Sequence, residues 1–123
     1  MKTKLTHIAT ALLFCTFFVL PYNCFAQTGS LDLSFDADGK VTTVMGNSGD
    51  YEASMVIQSD GKIVVAGSSF NGSNYDFALV RYNTNGSLDL SFDTDGKVTT
   101  AIGNSSDFGS SIAIQSDSKI VVA

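Results

Sequence analysis

The chain repeats itself. Placing Gly29 on Gly86, an offset of 57 residues, aligns Gly29–Ala66 with Gly86–Ala123 without a gap, and 28 of the 38 paired positions are identical. One copy opens GSLDLSFDADGKVTTVMGNS and the other GSLDLSFDTDGKVTTAIGNS; further on, SMVIQSDGKIVVA matches SIAIQSDSKIVVA. Self-similarity of this kind means one structural unit used more than once, each copy covering its apolar surface with its neighbour. It restricts the fold to repeat architectures before composition is considered.

Within a unit the periodicity is that of strands. Lys40–Met45 (KVTTVM) is short and β-branched, which predicts a strand. Glu52–Ser59 alternates, with Ala53, Met55 and Ile57 on one face. Lys62–Ser68 is apolar on both faces, and Asp76–Asn83 sets Phe77 and Leu79 against Ala78 and Val80. Turn residues separate the runs at Gly46–Gly49, Asp60-Gly61, Asn71-Gly72 and Asn85-Gly86. Asp60-Gly61 predicts a two-residue hairpin turn with both residues at positive φ; Ser118 replaces the glycine in the second copy and weakens that turn. Four short antiparallel strands per unit make one blade of a β-propeller, and strands apolar on both sides suit a sheet held between two others. The expected fold is all-β: propeller-type repeat blades of four antiparallel strands, incomplete at just under two blades, preceded by a signal-peptide helix.

The leader has its own signature. Lys2 and Lys4 precede an apolar stretch from Ile8 to Leu20, Pro21 ends any helix, and Cys24 and Ala26 stand at the third-last and last positions before a cut. This is the pattern of a secretory signal peptide cleaved after Ala26. The apolar core is short of the roughly 20 residues that span a bilayer. Asn23 stands where a lipoprotein signal has a small residue before its cysteine. The predicted organisation is residues 1–26 as signal peptide, 27–85 as the first repeat and 86–123 as a second, truncated one. A propeller closes with about 4 to 8 blades, so the expected partners are other blades of the same protein or additional copies of the chain.

Composition excludes several chemistries. His7, Cys15 and Cys24 all lie in the leader, so the chain after Ala26 has neither imidazole nor thiol. Serine or cysteine triads with histidine, zinc sites of the usual type and disulfides are therefore ruled out there. The same region carries all 12 acidic residues against only Lys40, Lys62, Arg81, Lys97 and Lys119, a net charge of −7. That balance argues against nucleic acid and against anionic lipid as partners, leaving the signal peptide as the only membrane contact. The chain is expected not to be an enzyme and to need no cofactor.

The stretches SLDLSFDADGKVTT, IQSDGKIVVAG, DFALVRYNTNG and SLDLSFDTDGKVTT, in this order and spacing, resemble the delta-60 repeat, a propeller-type repeat of bacterial exported proteins. The resemblance covers nearly all of Gly29–Ala123. Leu33 and Leu90 stand where the family often has proline, Asp36 and Asp93 where glycine is frequent, and Ser59 where proline is common. The resemblance implies a secreted or cell-surface repeat protein and no established activity; the role expected of such a chain is scaffolding or binding, toward a surface protein or glycan. It implies no catalytic residues. The alternatives are the N-terminal part of a propeller enzyme whose catalytic residues lie in further blades, and a calcium-stabilised adhesin.

One pattern points to a ligand. Asp36 and Asp38, repeated as Asp93 and Asp95, follow Asp32-x-Ser34 and Asp89-x-Ser91 at two-residue spacing, which in an extended chain sets oxygens on one side. Hard oxygen donors at that spacing suit calcium. Ser34 to Gly39 resembles half an EF-hand loop, but its first position is serine and its twelfth is Met45, with Ile102 in the second copy. The turns Asp38-Gly39 and Asp95-Gly96 account for the same residues without a metal. Arg81 is expected to pair with an acid of a neighbouring blade or to lie at the rim. Phe35 and Phe92 are expected to anchor the connecting segments. Phe70, Tyr75 and Tyr82 have no spacing that supports a sugar-stacking face.

Overall fold

The β-branched and aromatic runs form strands, and Gly, Asn and Asp clusters connect them. A computed structural model describes residues 29–46 and 49–123; the expected leader at 1–26 lies outside the described residues. β1 (Tyr51–Ile57), β2 (Ile63–Phe70), β3 (Tyr75–Tyr82) and β4 (Lys97–Thr100) form an antiparallel sheet in the order β1-β2-β3-β4. β5 (Ile112–Ile114) and β6 (Ile120–Val122) form a second antiparallel sheet. The described chain contains no helix. The architecture is all-β, with antiparallel strands in two sheets, as incomplete propeller blades require.

Two local expectations are corrected. The β1–β2 connection is not a two-residue turn. Gly61 N–H donates to Gln58 O at 2.9 Å and Gln58 N–H to Lys62 O at 2.8 Å, so Ser59 and Asp60 form the turn and Gly61 follows at φ 83°. This is a turn with a glycine bulge, which needs one left-handed residue instead of two. In β1 a register shift between Glu52 and Ser54 takes Ala53 out of line with Met55 and Ile57.

The sheet is out of phase with the repeat. β4 is the KVTT run of the second copy, paired with β3 through Phe77↔Thr100, Ala78↔Thr99, Leu79↔Val98 and Val80↔Lys97. The blade therefore crosses Asn85-Gly86, where one sequence unit passes into the next. The first copy's KVTT, expected as a strand within Lys40–Met45, has no strand conformation. The reason follows from β4: this run pairs with the third strand of the unit before it, and none of the described residues supplies one.

Residues directly opposed across a ladder share a face. One face of the sheet carries Val56, Val64, Ala66, Leu79 and Phe77; the other carries Met55, Ile57, Val65, Ala78 and Val80. The second sheet packs on the Val64 face. Gly109 N–H donates to Ser68 Oγ at 3.2 Å, and a Cβ at Gly109 would meet Gly67 O, Phe77 and Val122. At the end of the same contact, Tyr75 lies among Tyr51, Phe70 and Phe108 with ring centroids 5.2–5.4 Å apart. Across the Met55 face runs the segment before Gly46. Tyr82 Oη donates to Thr43 Oγ1 at 2.7 Å and Lys97 Nζ to Val44 O at 2.7 Å. A cleft of about 640 Å³ remains between this segment and the sheet. Among the described residues, Val64, Ala66, Ala78, Val80 and Tyr82 are the buried apolar side chains.

Candidate functional site

The most connected polar group is Asp89, in the loop from Ser87 to Gly96 that joins β3 to β4. The loop is pinned to β3 at both ends: Asp89 N–H donates to Arg81 O, and Arg81 N–H to Gly96 O, each at 2.9 Å. Asp93 and Thr94 take left-handed conformations at φ 47° and 69°, and Gly96 N–H closes the turn on Phe92 O at 2.8 Å. This folding buries the Asp89 carboxylate against the sheet. Its Oδ2 accepts from Lys62 Nζ at 2.9 Å and from Arg81 Nε at 2.7 Å. Its Oδ1 accepts from the hydroxyl and the N–H of Ser91, at 2.6 and 3.1 Å. Arg81 also lies over the Phe92 ring, 4.5 Å from its centroid.

The Lys62 ammonium and the Ser91 hydroxyl, helped by the Ser91 N–H and Arg81, hold the Asp89 carboxyl well below the ordinary carboxylate range, against the opposing effect of burial. Both cations are committed to one carboxylate. The arrangement ties a loop to two strands.

Asp32 is the counterpart of Asp89. Its loop has the same internal form: Ser34 N–H and Oγ donate to Asp32 Oδ1 at 3.0 and 2.6 Å, Gly39 N–H donates to Phe35 O at 2.7 Å, and Asp36 and Ala37 have φ of 46° and 66°. Yet Asp32 is exposed and meets no cation among the described residues. Only Ser34 lowers its pKa.

The calcium candidates sit in these two loops. Asp36 and Asp93 occupy the exposed left-handed apices. Asp38 Oδ1 accepts from Lys40 N–H at 2.9 Å, and Asp95 Oδ1 from Lys97 N–H at 3.0 Å, so each engages its own turn. The described residues contain no group of three or more His, Cys, Asp or Glu side chains able to hold a metal ion. Phe92 anchors its loop through Arg81, as expected. Phe70 and Tyr75 belong to the aromatic contact on one face, whereas Tyr82 is buried toward the other. The role of Asp89 was not legible from its residue type, because Asp32 has identical neighbours along the chain; the signal available was Arg81, a lone arginine in an apolar strand.

These features define a propeller-type repeat whose four-stranded blade is completed by the opening segment of the next unit. Residues 58–92 match a family model described as a domain of unknown function (DUF5122) beta-propeller. The matched stretch contains β2, β3 and all three charged groups of the Asp89 tie. No curated protein and no solved structure matches the chain.

Proposed function

We propose that this is an exported propeller-type repeat protein with a scaffolding or binding role at the cell surface or outside the cell, and without a catalytic centre of its own. One observation carries the reading: the partly buried cations Lys62 and Arg81 both serve the Asp89 tie, which joins one repeat unit to the next. Lys62 and Arg81 bind Asp89, Lys40 and Lys119 bind Asp38 and Asp117 beside them, and Lys97 donates to Val44 O. Lys62, Arg81 and Lys97 are directed to neighbouring loops and strands, whereas Lys40 and Lys119 are exposed and meet only an acid two residues away. The resemblance to the delta-60 repeat and the leader pattern support the export part of the reading.

The test is recovery of the protein from the medium or the outer surface, with its intact mass measured. A chain starting at Gln27 is the expected product. A chain confined to the cytoplasm and still beginning at Met1 overturns the reading. Turnover of ester, phosphoester or glycoside substrates by the purified protein, abolished by substitution of one of its own carboxylates, overturns the non-catalytic part.

A further inference from the structure

Asn71-Gly72-Ser73 and Asn85-Gly86-Ser87 are the same tripeptide at two places. Asparagine before glycine is open to loss of its side-chain amide, because no side chain shields the glycine nitrogen from Cγ. Along the chain the two sites are equivalent; the fold separates them. Their side-chain carbonyl oxygens are held alike. Asn71 Oδ1 accepts from the N–H groups of Ser73 and Asn74 at 2.9 and 3.2 Å, and Asn85 Oδ1 from the N–H and the hydroxyl of Ser87 at 3.2 and 2.8 Å. Two donors on each oxygen favour the negative charge that forms there when Cγ is attacked. The glycines differ. Gly86 is buried, its N–H donates to Asn83 O at 3.0 Å, and a Cβ there would meet Phe35 and Asp36. Gly72 is exposed at the tip of the β2–β3 hairpin with open space beside it, and its N–H meets no acceptor among the described residues.

We infer that Asn71 is a site of covalent modification in the folded protein, reacting before Asn85 and with water as the only co-reactant. Gly72 N bonds to Asn71 Cγ, the Cγ–Nδ2 bond breaks, and ammonia leaves with the proton that Gly72 gives up. Water then opens the cyclic imide at either carbonyl, to aspartate or isoaspartate. At Asn85 the same attack waits for Gly86 to leave its turn. It waits also for the junction of the two units to open, where Asp36 N–H donates to Asn85 O at 2.8 Å.

The consequence follows from what Asn71 Nδ2 holds. It donates to Asn74 Oδ1 at 2.7 Å and to Asp76 Oδ2 at 2.8 Å. Asp76 is 8% exposed, and its Oδ1 is buried without a donor among the described residues. Exchange of the amide for a carboxylate removes the donor and sets a second negative charge against Asp76. The second unit leans on this hairpin: Asn74 Nδ2 donates to Ser105 O at 2.6 Å and Tyr75 N–H to Ser106 Oγ at 3.3 Å. The modification therefore loosens the hairpin and the junction it supports. The Asn85 side chain serves as acceptor for Ser87, a part that a carboxylate fills equally well.

The experiment is peptide mapping of the purified chain, native and unfolded in urea, held in mildly alkaline buffer and sampled over time. Unfolded, the two tripeptides are expected to react at similar rates. Folded, Asn71 is expected to react about tenfold faster than Asn85 or more, since Asn85 waits for a backbone hydrogen bond to break and the turn to open. Equal rates in the folded chain, or faster reaction at Asn85, overturn the inference. So does a folded chain unmodified at Asn71 while the unfolded chain reacts. Asn71→Asp and Asn85→Asp read the consequence. The first is expected to lower Tm and to speed amide exchange at Tyr75 and at Asp107, whose N–H donates to Tyr75 O. The second is expected to leave both near their native values. Equal behaviour of the two variants overturns the part assigned to Asp76.

Discussion

Lys62 Nζ donates to Asp89 Oδ2 at 2.9 Å and so joins the turn that opens β2 to the loop that opens the next repeat. The two residues are 27 positions apart. This bond, with the Arg81 bond beside it, makes the connecting loop part of the blade. It also sets Asp89 apart from Asp32, whose loop has the same shape and no cation among the described residues.

Asp89→Asn removes the charge that Lys62 and Arg81 share and leaves two partly buried cations facing a neutral amide. It is expected to lower the thermal midpoint severalfold more than Asp32→Asn does. Paired melts of the two variants check this; equal shifts would mean that the tie does not stabilise the blade.

The same carboxylate predicts an acid response. Asp89 has a folded pKa held below its ordinary value of 3.8. Its contribution to stability is fully present above about pH 5 and is lost progressively as pH falls through the ordinary value toward the folded pKa. The melting temperature of the native chain is expected to drop over that range, and Asp89→Asn to flatten the drop. A variant with the native slope would place the acid sensitivity elsewhere.

Ser118 occupies the place of Gly61 and takes the same left-handed conformation, φ 67° against 83°. A side chain there carries a backbone cost of about 1–2 kcal/mol. Ser118→Gly is expected to stabilise by about 1 kcal/mol. Gly61→Ser is expected to destabilise by more, since a Cβ at Gly61 would lie 2.8 Å from the Thr84 methyl. Denaturant titration of both variants reads the signs.

Val64→Ala removes two methyl groups from a position with no solvent exposure. A loss of about 2 kcal/mol is expected from the transfer and cavity terms together. Val121→Ala, at the same repeat position but exposed, is expected to change stability by less than about 0.5 kcal/mol at a concentration where the chain is monomeric. Chemical denaturation of the two variants under that condition gives the comparison.

Much of the fold was legible in the residues. KIVVAG and DFALVRY are apolar on both sides, and both lie in the sheet with neighbours on both faces. The turn chemistry at Asn71-Gly72 and around Asp60-Gly61 located the hairpins, though the second turn was shifted by one residue. The Ala53 irregularity was not legible, because alternation in EASMVIQS is compatible with either register. Nor was the Asp89 tie, which depends on Lys62, 27 positions away along the chain, arriving beside Arg81.

The residues alone determined the repeat, its strands and the absence of histidine and cysteine chemistry after Ala26, because side-chain pattern and residue type are properties of the chain itself. Tertiary structure decided which strand completes which blade. A ladder is made by backbone N–H and C=O groups that nearly every residue carries, so the KVTT pattern is silent about its partner. The loop after β3, drawn in by Lys62 and Arg81, carries the second copy onto the preceding sheet, and the first copy has no such strand beside it among the described residues.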